Sequence, residues 1–206
     1  MLPTISITTP CLNAAATLDQ TILSVITQAG GFYIRYHVQD GGSDDGTVER
    51  LAWWQKELAA GRIPLHCAGL EFSCSSEPDA DMYDILCKGI DALAPPSSGF
   101  LSWITPGSML AQSALAFIAA ADRQFQPQEA SWISGLSAPL RDGMPLPQAD
   151  VPVSTQAMKQ GLCDGKHWAA LQPEGVFFRR WLWDAIEPEK HIIPLKQAAD
   201  WNIWRL

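Results

Sequence analysis

Apolar and polar positions in the first hundred residues change period in a regular way, and the changes predict strands and helices in turn. Ile5 and Ile7 mark a short first strand, closed by Thr8, Thr9 and Pro10. Leu18, Ile22, Val25 and Ile26 then fall at i, i+4, i+7 and i+8, the spacing of one helix face. Asn13 stands where an N-cap would, and Gly30-Gly31 is placed to end the helix. Ile34, Tyr36 and Val38 alternate with Arg35, His37 and Gln39, which predicts a strand running to Asp40. A helix carrying Leu51, Trp54 and Leu58 is expected over residues 47–60, stopped near Gly61. Residues 64–68 read as a third strand, 81–93 as a helix ended by Pro95-Pro96, and 100–105 as an apolar central strand. An alanine-rich helix over 111–123, with Leu115 and Ile118 packing, and an edge strand over 130–134 complete the pattern. Alternating strands and helices predict an α/β fold, a mostly parallel central sheet flanked by helices.

The stretch from Val38 to Thr47, VQDGGSDDGT, stands at the centre of this pattern. It places Asp40 at the carboxyl end of a strand, where open α/β sheets bind ligands. Gly41, Gly42 and Gly46 allow positive φ and close approach, and Ser43, Asp44 and Asp45 favour turns and helix entry. A dinucleotide-binding dehydrogenase would carry Gly-x-Gly-x-x-Gly after the first strand. The turn here is Thr9-Pro10-Cys11-Leu12-Asn13, with no glycine, which argues against that class.

The chain of 206 residues is expected to be a single domain with a core of ordinary size. Its formal charge of −8 argues against a nucleic-acid partner. No apolar run approaches the roughly 20 residues that span a bilayer, and no secretory signal opens the chain. The five cysteines never form Cys-x-x-Cys and read as reduced thiols, so the expected location is cytoplasmic. Residues 135–152, rich in Pro, Gly and Ser, read as a long loop. Of the nine tryptophans, Trp181, Trp183, Trp201 and Trp204 crowd the last third of the chain. They and the His167-Trp168 pair suit either packing or sugar stacking.

Three segments in order carry a resemblance. They are TISITTPCLN over 4–13, QDGGSDDGT over 39–47, and SEPDADMYD over 76–84. The chain resembles family 2 of the inverting glycosyltransferases, whose members usually show S-I-I-T-P-x-x-N, Q-D-G-x-S-x-D-G-T and S-E-x-D-x-G-x-Y-D-A-x-N-K-G-I. Gln172 to Arg180 and Ala198 to Leu206 resemble later segments of that family, so the likeness covers most of the chain. It implies the GT-A fold and a single domain, with a nucleotide-binding half over about residues 1–110 and an acceptor half over about 111–206. The chain stops inside a helical pattern, so a missing C-terminal portion is expected, and with it any membrane-docking helix.

The resemblance implies inverting transfer of a sugar from a UDP- or GDP-linked donor to a sugar or lipid-linked acceptor hydroxyl. Surface polysaccharide synthesis, at a peripheral membrane site, is the expected setting. Such a reaction needs a carboxylate to take the hydroxyl proton and positive charge to stabilise the leaving diphosphate. By resemblance, Thr9, Pro10, Asp40 and Ser43 line the nucleotide pocket, with Asp40 accepting a hydrogen bond from the base. Asp79 and Lys88 lie on its ribose and phosphate side. Asp200 is the first candidate for the catalytic base and Glu174 the second, and Arg179 and Arg180 are candidate phosphate or lipid-headgroup partners.

The chain departs from the family where relatives bind manganese or magnesium. Their Asp-Asp or Asp-x-Asp aligns here with Gly107 and Ser108, in Trp103-Ile104-Thr105-Pro106-Gly107-Ser108-Met109-Leu110. A divalent ion wants charged oxygen ligands, so the expectation of either metal is weakened. Asp81 stands where the family has glycine, and Cys87 where it has asparagine. Three readings follow: a metal-independent transferase, a catalytically impaired relative that binds or scaffolds, and an unrelated nucleotide-binding α/β domain.

Overall fold

The computed structural model describes residues 2–79, 81–96, 98–135 and 173–191, with Ala138, Leu140–Arg141, Met144–Pro145, Gln156 and Gln160. Its first strand, β1, spans Thr4–Cys11. Then come α1 (Leu18–Ile26), β2 (Gly30–Asp40), α2 (Thr47–Ala59), β3 (Cys67–Ser76), α3 (Met82–Leu93), β4 (Phe100–Trp103) and α4 (Ala114–Gln124). After β5 (Trp132–Ser134), the short β6 (Leu140–Arg141) and β7 (Met144–Pro145) pair with each other. A turn of 3₁₀ helix at Pro173–Gly175 leads into β8 (Val176–Arg179), α5 (Arg180–Ile186) and α6 (Pro188–His191).

Six strands form one sheet in the order β3-β2-β1-β4-β8-β5. Strands β1 to β4 run parallel, and β8 is antiparallel to both β4 and β5. The mostly parallel sheet with helices is the expected architecture, with several differences in detail. The first strand runs on through Thr8, Thr9, Pro10 and Cys11 because β2 pairs with it as far as Asp40. Gly30-Gly31 opens β2 instead of ending a helix. The third strand lies at Cys67–Ser76 and not at 64–68.

The helices bury apolar faces on both sides of the sheet. Ile5, Ile7, Ile34, Tyr36 and Val38 meet Leu18, Ile22 and Val25 of α1, Leu51 and Trp54 of α2, and Leu115 and Ile118 of α4. On the other side, Leu86 and Ile90 of α3 pack with Leu101, Trp103, Val176, Phe178 and Trp183. A buried Leu or Ile contributes about 1.5–3 kcal/mol through removal from water. The part of that second face between β1 and β3 is polar: Ser6, Thr8, His37 and Gln39 are all buried there. His37 Nδ1 bonds Ser73 Oγ at 2.8 Å, and its Nε2 lies 3.1 Å from Ser75 Oγ. Burial in this layer pushes the His37 pKa below its ordinary value, against a weaker opposing hydrogen bond from Gln39. The Ser6 and Thr8 hydroxyls have no hydrogen-bond partner among the described residues.

Candidate functional site

The parallel order brings the loops after β1, β2, β3 and β4 to one edge of the sheet, and Asp40 organises its centre. Asp40 pairs in register with Cys11 on one side and Ser76 on the other. Its residue surface is wholly buried. Oδ2 accepts the backbone N–H groups of Gly42 and Ser43, each at 3.0 Å, and the Ser76 hydroxyl at 2.7 Å. Oδ1 accepts the Ser43 hydroxyl at 2.5 Å and the Cys11 thiol at 3.7 Å. Burial alone would raise the Asp40 pKa, but the bonds from Ser43, Ser76 and Gly42 outweigh it and hold the carboxyl below its ordinary range. The same burial, with Asp40 alongside, pushes the Cys11 thiol far up, so it stays protonated.

Asp40 stands at the predicted strand end, but both its oxygens are engaged by protein donors. It fixes the turn, and Ser43 does the same, its Oγ also accepting the Asn13 N–H at 2.7 Å. The glycines divide the work differently from the simple expectation. Gly42 takes the positive φ of 85°. Gly41 is required by proximity: a Cβ there would come within 2.5 Å of Ile85 Cδ1 and 2.6 Å of the Asp79 carbonyl oxygen.

Hydrogen bonds stitch the loops into one frame. Asn13 has φ 52° and is not the cap of α1, whose N-cap is Thr17. Its side-chain oxygen accepts the Asp44 N–H at 3.1 Å instead. Asp45 accepts the Ala15 N–H at 3.0 Å, and Thr47 Oγ1 accepts that of Ala14 at 2.9 Å. The third loop joins through Glu77 N–H to the Asp40 carbonyl and Asp79 N–H to the Gly41 carbonyl, both at 3.0 Å. Thr9 and Pro10 lie inside this frame. Thr9 is fully buried and its hydroxyl meets the Tyr36 hydroxyl at 2.9 Å. Asp81 caps α3, accepting the Tyr83 N–H at 2.9 Å.

Lys88, one face of α3 away, reaches over the third loop. Its ammonium lies 3.0 Å from Asp79 and 3.4 Å from Glu77, and its side chain remains 40% exposed. Its pKa is raised, first by the hydrogen bond to Asp79. The structure therefore brings Asp79 and Lys88 together beside the Asp40 turn.

Glu174 marks the other end. It precedes the antiparallel β8 and so sits at the carboxyl edge of β4. Its Oε1 accepts the Thr105 hydroxyl at 2.5 Å and the Ser108 hydroxyl at 3.1 Å. The loop bearing these hydroxyls is clamped to α1. Thr21 Oγ1 accepts the Gly107 N–H at 2.9 Å and donates to the Ser108 carbonyl at 2.9 Å, while Ser24 Oγ accepts the Leu110 N–H at 3.1 Å. These donors do not fit a manganese or magnesium ion. Two neutral hydroxyls spend their protons on a single carboxylate, whereas such ions want several charged or carbonyl oxygens. Among the described residues, no three His, Cys, Asp or Glu side chains converge as ligands.

No family model and no curated protein matches this chain by sequence. Solved structures do match by fold. The crystal structure of S. aureus TarS aligns at a TM-score of 0.63 and 14% identity, over 98% of this chain and 33% of that one. TarS 1–349 aligns at 0.62 and 15%, over 98% and 55%. The same TarS segment in complex with UDP aligns at 0.64 and 15%, over 98% and 54%. The fold is GT-A-like. At this identity the likeness shows the fold alone, and the chain spans between a third and just over half of the chains it matches.

In this GT-A-like frame the arginine pair has one buried member and one nearer the surface, each engaged by protein partners. Arg179 is 1% exposed, and its guanidinium lies 3.7 Å over the Phe100 ring. It donates to the Ala130 carbonyl at 3.1 Å, the Ser98 carbonyl at 2.7 Å and the Asp122 carboxylate. Arg180 pairs with Asp184 on its own helix at 2.7 Å and with Asp91 of α3 at 3.7 Å. Trp183 packs against Trp103 and Phe178, so it is a core residue. Asp200, His167, Trp168, Trp201, Trp204 and much of the long loop expected over 135–152 lie outside the described residues; within that loop Leu140–Arg141 and Met144–Pro145 pair as strands. Ser76 and Thr105 were missed as site residues. Thr105 and Ser108, on either side of Pro106-Gly107, were the available signal for Thr105; Ser76 opens the third motif, but placing the third strand at 64–68 separated it from Asp40. No helix among the described residues is long and apolar enough to cross a membrane.

Proposed function

We propose that this chain binds a nucleoside-diphospho-sugar along the carboxyl edge of β1 to β4 and transfers the sugar to an acceptor hydroxyl by inverting single displacement. The observation that carries the reading is Lys88 held against Asp79 beside the Asp40 turn, in a fold shared with a UDP complex. Lys88 supplies positive charge to the diphosphate. The backbone of the stitched loops supplies the pocket, in which Thr9, Pro10, Asp40 and Ser43 act through their positions and not through free side chains.

Glu174, at the carboxyl edge of β4, is the candidate base among the described residues. The acceptor oxygen forms a bond to the anomeric carbon, its proton passes to Glu174, and the bond to phosphate breaks with its electron pair leaving on the diphosphate. By resemblance Asp200 is the first candidate for the same role, with Glu174 the second. The donor is UDP- or GDP-linked, the acceptor a sugar or lipid-linked sugar, and surface polysaccharide synthesis at the membrane face is the proposed setting.

Incubation with UDP- and GDP-linked sugars, followed by assay of released nucleotide, tests this. One donor should turn over, and Glu174→Gln should slow it by about 10²–10⁴-fold, the usual worth of a positioned base. Loss in Asp200→Asn alone would move the base to Asp200. A second reading, a catalytically impaired binding or scaffolding relative, is favoured by Gly107 and Ser108 in place of metal carboxylates and by the two carboxylates on Lys88. Nucleotide binding without turnover of any donor would select it.

A further inference from the structure

We propose that Thr105, Ser108 and Glu174 form a metal-free polar centre at the position where the resembling family holds a divalent ion, with Ser108 as the residue that decides metal dependence. The inference rests on the glycosyl-transfer reading and adds to it a positioning device and a cofactor class. Ser108 aligns with a metal carboxylate of the family. Here its side chain turns to Glu174 Oε1, at 3.1 Å, and the Thr105 hydroxyl reaches the same oxygen at 2.5 Å. The two hydroxyls also lie 3.3 Å from each other. Both hydroxyls donate to one carboxylate and are themselves neutral, so the pair orients Glu174 while offering a divalent ion no charge beyond that single carboxylate. Both bonds fall on Oε1. Among the described residues nothing bonds Oε2, which is thereby the oxygen left to take the acceptor proton.

The clamps on this loop make the arrangement specific. Thr21 holds Gly107 and Ser108 from both sides, and Gly107 takes φ 95°, a conformation that favours glycine over the aspartate of the family. A carboxylate introduced at position 108 would stand beside Oε1 of Glu174. Two carboxylates that close repel unless they share a cation or a proton. Ser108→Asp should therefore create a divalent site from residues already in place.

The test uses the intact chain, Ser108→Asp and Glu174→Gln, with free manganese followed by its electron paramagnetic resonance and UDP affinity measured by calorimetry with excess manganese or with chelator. The native chain should leave manganese free and bind UDP equally in both conditions. Ser108→Asp should sequester manganese and bind UDP about ten-fold more tightly with the ion than without it, a change of about 1.4 kcal/mol. Stoichiometric manganese binding by the native chain, lost in Glu174→Gln, would overturn the proposal, as would UDP binding abolished by chelator. Ser108→Asp that folds yet gains no manganese would overturn the role given to position 108. If Ser108→Asp fails to fold, the native chain and Glu174→Gln decide the matter. If no nucleotide binds, the transfer reading fails while the manganese measurement still judges the centre.

Discussion

The Ser76 hydroxyl donates to Asp40 Oδ2 at 2.7 Å across the β2–β3 pair, joining the second and third loops through one buried carboxylate. Asp40 accepts bonds from two backbone amides, two hydroxyls and the Cys11 thiol, so its removal leaves several donors unpaired. Asp40→Ala should destabilise the fold by about 2–4 kcal/mol, since each buried donor left unsatisfied costs about 1–3 kcal/mol and some regain water. Ser76→Ala should cost less, and the two losses should be non-additive. Chemical denaturation of the single and double variants measures both.

Stability should fall on acidification in two stages. His37 has a folded pKa below its ordinary value because it is buried. Its contribution is present above about pH 6.5, the unfolded value, and fades as pH drops through that value toward the folded one. Asp40 also has a depressed folded pKa, so its contribution is complete above its unfolded value of about 3.9 and is lost as pH falls below it. Thermal melts across this range should show both declines. His37→Gln should flatten the first and Asp40→Asn the second. A melt indifferent to pH in both windows would contradict the burial of these groups.

Arg179 should prove a residue of the core. It is buried over Phe100 and bonded to Asp122, Ser98 and Ala130. Arg179→Met should lower stability by about 3 kcal/mol, the scale for breaking a buried charged pair, yet leave the UDP affinity of the folded protein unchanged. Loss of UDP affinity at unchanged stability would return Arg179 to the phosphate site.

Gly89 sets how closely α3 lies on the sheet. A Cβ at this position would meet Thr8 Oγ1 at 2.3 Å and Gln39 Cβ at 3.2 Å. Gly89→Ala should cost about 1–3 kcal/mol through overpacking and should weaken UDP binding by moving the adjacent Lys88. Thr8→Ala removes the obstructing hydroxyl, which has no partner among the described residues, and should restore much of both losses. A double-variant cycle reads the coupling.

Much of the fold is legible in the chain because the periodicities of β1, α1, β2 and α2 agree with their packing. The third strand is not. Residues 67–76 hold few branched residues, and what makes them a strand is backbone pairing with β2 from Gly30 to Asp40. The alternation of Val and aromatic residues ends at Asp40, so the strand end could be placed. That Ser76 would close on it could not, because the contact joins residues 36 apart. Glu174 and Thr105, 69 apart, are the same case. Adjacency in sequence does not say which arginine of the pair is buried: Arg179 points into the core at the end of β8, while Arg180 opens α5 near the surface.

Titration of the purified chain with UDP tests the central claim most directly, that the edge beside Lys88 and Asp79 receives a nucleoside diphosphate. The account predicts saturable one-to-one binding that survives chelation and weakens at least about ten-fold, or 1.4 kcal/mol, in Lys88→Met. Absence of binding by both UDP and GDP, or undiminished binding by Lys88→Met, would contradict it.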